Sequence, residues 1–105
     1  SLIITHALQD LESHYQQELS LSEVAKVVSV NPSYLSSLIK KETGKNFIDI
    51  IIEARLEHAK KLLQNPSHRI NEVADLSGFK DYAYFYQTFK KHVGLSPKEY
   101  RNQFL

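Results

Sequence analysis

With 105 residues, 42% of them apolar and 24% charged, the chain can pack one domain or two very small ones and is too apolar for a disordered tail. No apolar run approaches the roughly 20 residues of a membrane-spanning helix, and no segment has the layout of a signal peptide. Cysteine is absent, which excludes disulfide and thiolate chemistry and fits a reducing compartment, here expected to be the cytoplasm. The net charge of +1 hides an asymmetry: residues 1–39 balance at −3 and residues 40–105 at +4, with Lys40-Lys41, Lys60-Lys61 and Lys90-Lys91 as pairs. Such pairs by themselves suit a solvated helix face as well as an anionic partner.

The pattern predicts seven helices and no strand. "LIITHALQDLESHY" places Leu2, Ile3, Ala7, Leu8, Leu11 and Tyr15 near one stripe, as an amphipathic helix does. Ser20 and Glu23 have capping-box spacing and open a short helix through Val28. Asn31 caps the next helix, with Pro32 at its first position, where a missing N–H costs nothing. Gly44 ends it. Asn46 and Asp49 again have capping spacing, and a long helix is expected from Phe47 to about Gln64, where Asn65-Pro66 stops it. A short helix over Ile70–Ser77 ends at Gly78, Asp81 caps an aromatic-rich helix, and Gly94 ends that one. "SPKE", Ser96–Glu99, opens a last short helix with a second capping box.

The chain also repeats. Val24-Ala25 matches Val73-Ala74 at an offset of 49. After one extra residue in the second turn, Tyr34-Leu35 matches Tyr84-Phe85, Ile39-Lys40-Lys41 matches Phe89-Lys90-Lys91, and Gly44 matches Gly94. Each unit is a short helix, a tight turn and a longer helix. An alanine lies at the crossing, where two helices approach closely only over a small side chain. That is helix-turn-helix architecture, and its doubling makes the signal stronger than one helical hairpin would be.

On these residues the chain resembles the DNA-binding domain of the AraC/XylS family of bacterial transcription regulators, over essentially its whole length. The pattern is densest at Val73-Ala74, Gly78-Phe79, Asp81, Tyr84-Phe85, Phe89-Lys90-Lys91, Gly94, Ser96-Pro97 and Tyr100-Arg101. Arg55-Leu56 and Ala59–Leu63 fit the family's linker helix. The first unit departs from it, with Ser29 where glycine is common and Leu38-Ile39 where an aromatic often follows. The finer spelling resembles the C-terminal output domain of response regulators of the family. The resemblance implies an all-α fold with a first helix-turn-helix subdomain at 1–46, a linker helix at 47–64 and a second subdomain at 65–105. It implies two recognition helices in successive major grooves of double-stranded DNA. It also implies RNA polymerase as a further partner and a sensor or receiver domain elsewhere in the full-length protein. A helix from Phe47 to Gln64 would be about 27 Å long, against about 34 Å between successive grooves on one DNA face. The segment reads equally as a rigid spacer and as an ordinary core helix, with Ile48, Ile51 and Ile52 on one side and Ile50 and Ala54 on another.

At 100° per residue, Phe85, Phe89, Tyr82 and Val93 form the apolar face of the aromatic helix, and Ala83, Tyr84, Gln87 and Lys91 the opposite one, with Lys90 at its flank. Gln87 has the donor–acceptor pair that reads an adenine edge, and Ala83 can meet a thymine methyl. Tyr82 and Tyr84 stand at positions that contact bases in family members, although Tyr82 reads as well as a half-buried packing residue. Tyr86 is either a phosphate contact or packing. Lys90 and Lys91 position rather than specify, as ammonium groups on phosphates do. In the first unit the matching face is Ser33, Ser36 and Ser37, followed by Lys40 and Lys41. Serines discriminate bases poorly, so this unit is expected to read DNA less stringently. Helix starts at Ser22 and Asn71 can aim backbone N–H groups at phosphates.

An enzyme is the least favoured class. His6, His14, His58, His68 and His92 show no metal-ligand spacing, no glycine-rich phosphate loop is present, and no cofactor is expected. A helical protein-interaction module with a basic face is the other binding class the residues allow.

Overall fold

Local capping sets the helix starts. The structure, a computed structural model, describes residues 1–105 and contains seven α-helices and no strand: α1 Leu2–His14, α2 Leu21–Val27, α3 Pro32–Thr43, α4 Phe47–Leu63, α5 Ile70–Leu76, α6 Tyr82–Val93 and α7 Pro97–Asn102. Asn31 Oδ1 accepts from the Ser33 and Tyr34 N–H groups, Asn46 Oδ1 from Asp49 N–H, and Asp81 Oδ1 from Tyr84 N–H. Each bond satisfies a donor that the first helical turn leaves open. Ser96 and Glu99 form the full reciprocal box at α7. The Ser96 N–H and hydroxyl hold the Glu99 carboxyl below its ordinary pKa.

At α2 only half of the predicted box forms. Glu23 N–H donates to Ser20 Oγ, but the Glu23 carboxylate accepts from the Ser20 hydroxyl, at 3.0 Å, instead of from the Ser20 N–H. The start of α5 has no side-chain cap at all. No helix is long and apolar enough to cross a membrane.

The chain divides into two compact units, residues 1–54 and 55–105, and the division falls inside α4. In the first unit α1 buries Ile4, Ala7 and Leu11 against Val24 and Ala25 of α2, Leu35 and Ile39 of α3, and Phe47 and Ile51 of α4. Of the expected α1 stripe, Ala7 and Leu11 are buried and Ile3, Leu8 and Tyr15 pack against the core, so the departure is confined to the helix start. Ile4 is buried, whereas Leu2, the first helical residue, stands 70% exposed. Ile48, in the first turn of α4, is 58% exposed, whereas its neighbour Phe47 is buried.

The second unit buries Leu56, Ala59, Leu63, Val73, Ala74, Phe79, Phe85 and Phe89. Rings run through it in a chain: Phe79–Phe85 at 5.1 Å, Phe85–Phe89 at 5.6 Å, Phe89–Tyr100 at 5.6 Å and Tyr100–Phe104 at 5.1 Å. These lie in the favourable range for tilted and edge-on aromatic pairs. Arg101 of α7 closes the unit. Its Nε donates to Leu63 O at 2.8 Å, and its Nη2 to Asn65 O at 3.2 Å and His68 O at 2.6 Å.

The repeat seen in the sequence is a repeat of turn geometry. Val30 N–H donates to Ala25 O and Phe79 N–H to Ala74 O, both at 3.0 Å. Ser29 N–H donates to Lys26 O as Gly78 N–H does to Asp75 O. Both turns pass through the left-handed region, at φ 59° for Ser29 and φ 91° for Gly78. Ser29 makes a glycine turn with a side chain attached, which costs about 1–2 kcal/mol for an L-residue.

Ser29→Gly is expected to raise the stability of the first unit by about 0.5–1 kcal/mol, since glycine's greater unfolded-state entropy offsets part of the relieved strain. A urea titration reads this as a higher midpoint at unchanged slope. A lower midpoint would show that the serine turn is unstrained.

Candidate nucleic-acid interface

The α6 helix separates its residues by side. Phe85, Thr88 and Phe89 are buried, whereas Ala83, Tyr84, Tyr86, Gln87, Lys90 and Lys91 are exposed. The Asp81 cap fixes the first turn, and Gly94 at φ 86° ends the helix with its N–H on Lys90 O. The exposed side of α6 thus carries an amide, a methyl, phenols and two ammonium groups on one rigid element.

Tyr82 departs from the predicted apolar face. It is 45% exposed and leans its ring on Phe85 and Tyr86, each at 6.3 Å. Thr88, not anticipated as core, is 7% exposed; its counterpart Leu38 in the first unit, half-buried, carries the signal that could have located it.

Tyr84 is 39% exposed on this surface, with the Phe79 ring 6.0 Å away. Arg55 of α4 is half-buried beside it. Burial pulls the guanidinium below its ordinary pKa, and the neighbouring Tyr84 acts in the opposite sense.

The α3 helix has the same plan with smaller side chains. Leu35 and Ile39 are buried, and Ser33, Ser36, Ser37, Lys40 and Lys41 are exposed. Ser33, Ser37 and Lys41 form one row at four-residue spacing, with Ser36 and Lys40 in the row beside it. Ser36 opens onto a groove lined by Leu19, Leu21, Asn46, Phe47 and Ile48. Lys40 Nζ donates to Gly44 O at 3.1 Å and so also caps the end of its own helix. Ser22 and Asn71 are exposed on α2 and α5, each the second residue of its helix.

Charge is distributed by unit. Residues 1–54 carry four basic and seven acidic side chains, and residues 55–105 nine and five. The first unit therefore balances at −3 and the second at +4.

Two helix-turn-helix units, each with a buried apolar side and an exposed polar side on its second helix, define the DNA-binding domain of a transcription regulator, not an enzyme. The chain belongs to the AraC-type helix-turn-helix family, whose helix-turn-helix domain matches residues 24–103. It is similar to the C-terminal domain of AraT, a response regulator from Geobacillus stearothermophilus: 38% identity, 98% of this chain and 86% of that one, TM-score 0.93. It is 36% identical over 105 residues to the HTH-type transcriptional regulator YijO of Escherichia coli strain K12, which covers 99% of this chain and 37% of that protein. The lactose operon transcription activator of Staphylococcus xylosus is 34% identical over 101 residues, 96% of this chain and 36% of that protein. The chain thus spans little more than a third of these two relatives.

Proposed function

We propose that α3 and α6 are the two recognition helices and that they enter successive major grooves of one DNA duplex. In this reading residues 1–46 and 65–105 are the two reading subdomains, and the helix over residues 47–64 sets their spacing. The observation that carries it is the repeated turn, with the same hydrogen bonds and left-handed residue in each unit, ahead of a helix with one polar side free. Ser33, Ser36, Ser37, Tyr82, Ala83, Tyr84 and Gln87 meet bases. Ser22, Lys40, Lys41, Asn71, Tyr86, Lys90 and Lys91 meet phosphates. The second unit supplies most of the affinity, because its positive balance attracts the backbone that the first unit's negative balance repels. The full-length protein acts in the cytoplasm and places a sensor or receiver domain outside these residues, as in a response regulator, with RNA polymerase as a partner.

Selection from a random duplex library, followed by competition in gel shift, tests the reading. Preferred and shuffled duplexes that compete equally at moderate salt would end it. Binding is expected to weaken with salt at a log–log slope of about −0.9 per phosphate neutralised. Gln87→Ala should relax sequence preference, with about 1–3 kcal/mol of discrimination lost. Lys90→Ala should weaken all duplexes alike and flatten the salt slope. Parallel losses for both variants on both duplexes would refute the division of roles.

A further inference from the structure

The serine face of α3 leaves Tyr34 without a role, yet the repeat pairs it with Tyr84 and gives it a definite place. It is the third residue of α3, as Tyr84 is of α6, and both precede a fully buried residue, Leu35 or Phe85. Each has its backbone N–H directed at the capping side chain, Asn31 Oδ1 at 3.4 Å and Asp81 Oδ1 at 2.8 Å. Both rings are exposed, Tyr34 at 53% and Tyr84 at 39%.

Their surroundings differ. Tyr84 has the Phe79 ring at 6.0 Å and the Arg55 charge beside it. The residue matching Phe79 in the first unit is the smaller Val30, and the Tyr34 hydroxyl has no hydrogen-bond partner within the chain. Around Tyr34 the exposed side of α3 offers only serines until Lys40. A serine hydroxyl sits one carbon from the backbone, so those side chains engage DNA only if the helix comes in close. A phenol then projects well beyond them. At 100° per residue Tyr34 lies about 60° round from Ser37, on the flank of the exposed side. A flank residue of a helix in a groove faces the groove wall, which is sugar and phosphate.

We infer that Tyr34 is a DNA-backbone contact of the first unit, its ring against a deoxyribose and its hydroxyl donating to a phosphate oxygen. The inference rests on the recognition-helix reading above. It gives the net-negative unit a neutral hold on the polyanion that repels it.

Fluorescence anisotropy with the library-selected duplex and a shuffled duplex, at several salt concentrations, tests it. Tyr34→Phe keeps the ring at an exposed site and removes only the hydroxyl. It should weaken both duplexes by the same factor, about tenfold or more, the worth of one hydrogen bond to an ionised oxygen. The salt slope should stay unchanged, because a neutral donor displaces no counterion. Tyr34→Ala should weaken both further. Unaltered binding by Tyr34→Phe, or a loss confined to the selected duplex, overturns the assignment and leaves the recognition-helix reading standing. Failure of the wild-type domain to prefer the selected duplex overturns both.

Discussion

Phe85→Ala should leave the second unit unfolded at room temperature. Phe85 is fully buried and touches three rings, Phe79 at 5.1 Å, Phe89 at 5.6 Å and Tyr82 at 6.3 Å. Truncating a buried phenylalanine costs about 3–5 kcal/mol, from lost transfer energy and from the cavity left behind. Lost ring pairing adds roughly 0.5–1.5 kcal/mol. A unit of about fifty residues has little more than that to lose. Far-UV circular dichroism should show roughly half the helical signal gone before any denaturant is added, and specific DNA binding should vanish with it. Phe85→Leu should cost far less, since Leu35 fills the matching position of the first unit completely buried. A Phe85→Ala protein that melts within a degree or two of wild type would show that the aromatic chain is not what holds the unit.

Arg101→Ala is expected to cost the same unit about 2–4 kcal/mol. One guanidinium serves three carbonyls, Leu63 O, Asn65 O and His68 O, none adjacent in sequence to another. Hydrogen bonds from a charged donor are worth about 1.5–3 kcal/mol each, and the partial exposure of this site lowers their sum. Part of the loss comes from stranding Leu63 O in the last turn of α4, where helix carbonyls lack partners, whereas Asn65 O keeps the His68 N–H. Arg101→Lys should recover less than half of it, because an ammonium cannot span three carbonyls as a planar fork does. Equilibrium urea unfolding of the three proteins decides the point. Wild-type stability in Arg101→Lys would reduce the site to a simple charge effect.

Much of this architecture can be read in the chain, because its determinants are local. Asn31, Asn46, Asp81 and Ser96 declare helix starts a few residues ahead, and Gly44 and Gly94 declare ends. The doubled Val-Ala, turn and lysine pattern identifies the two helix-turn-helix units before any coordinate is known. What escapes the sequence is of two kinds. Periodicity assigns angle but not shelter, so Tyr82 and Ile48 count as apolar-face residues yet stand 45% and 58% exposed, and Ile4 takes the place in the core that Leu2 does not. Tertiary bonds leave no period at all. Arg101 falls on the family pattern, but the carbonyls it holds lie 33 to 38 residues away and no spacing rule names them. The turn at Ser29 lies between these cases. Glycine at the matching position 78 reveals the left-handed conformation, once the two units are compared.

The aromatic chain of the second unit has an optical consequence. Of the eleven tyrosines and phenylalanines, only Tyr15, Tyr34 and Phe47 lie in residues 1–54; the other eight lie in residues 55–105, and there is no tryptophan. Coupled rings at 5–6 Å in a rigid setting give strong near-ultraviolet circular dichroism, whereas isolated exposed tyrosines give little. The near-ultraviolet signal therefore comes mainly from one half of the molecule, with the buried Phe47 and part-buried Tyr15 supplying the rest, and the far-ultraviolet signal from both. Recorded together during unfolding, the two wavelengths separate the halves with no label attached.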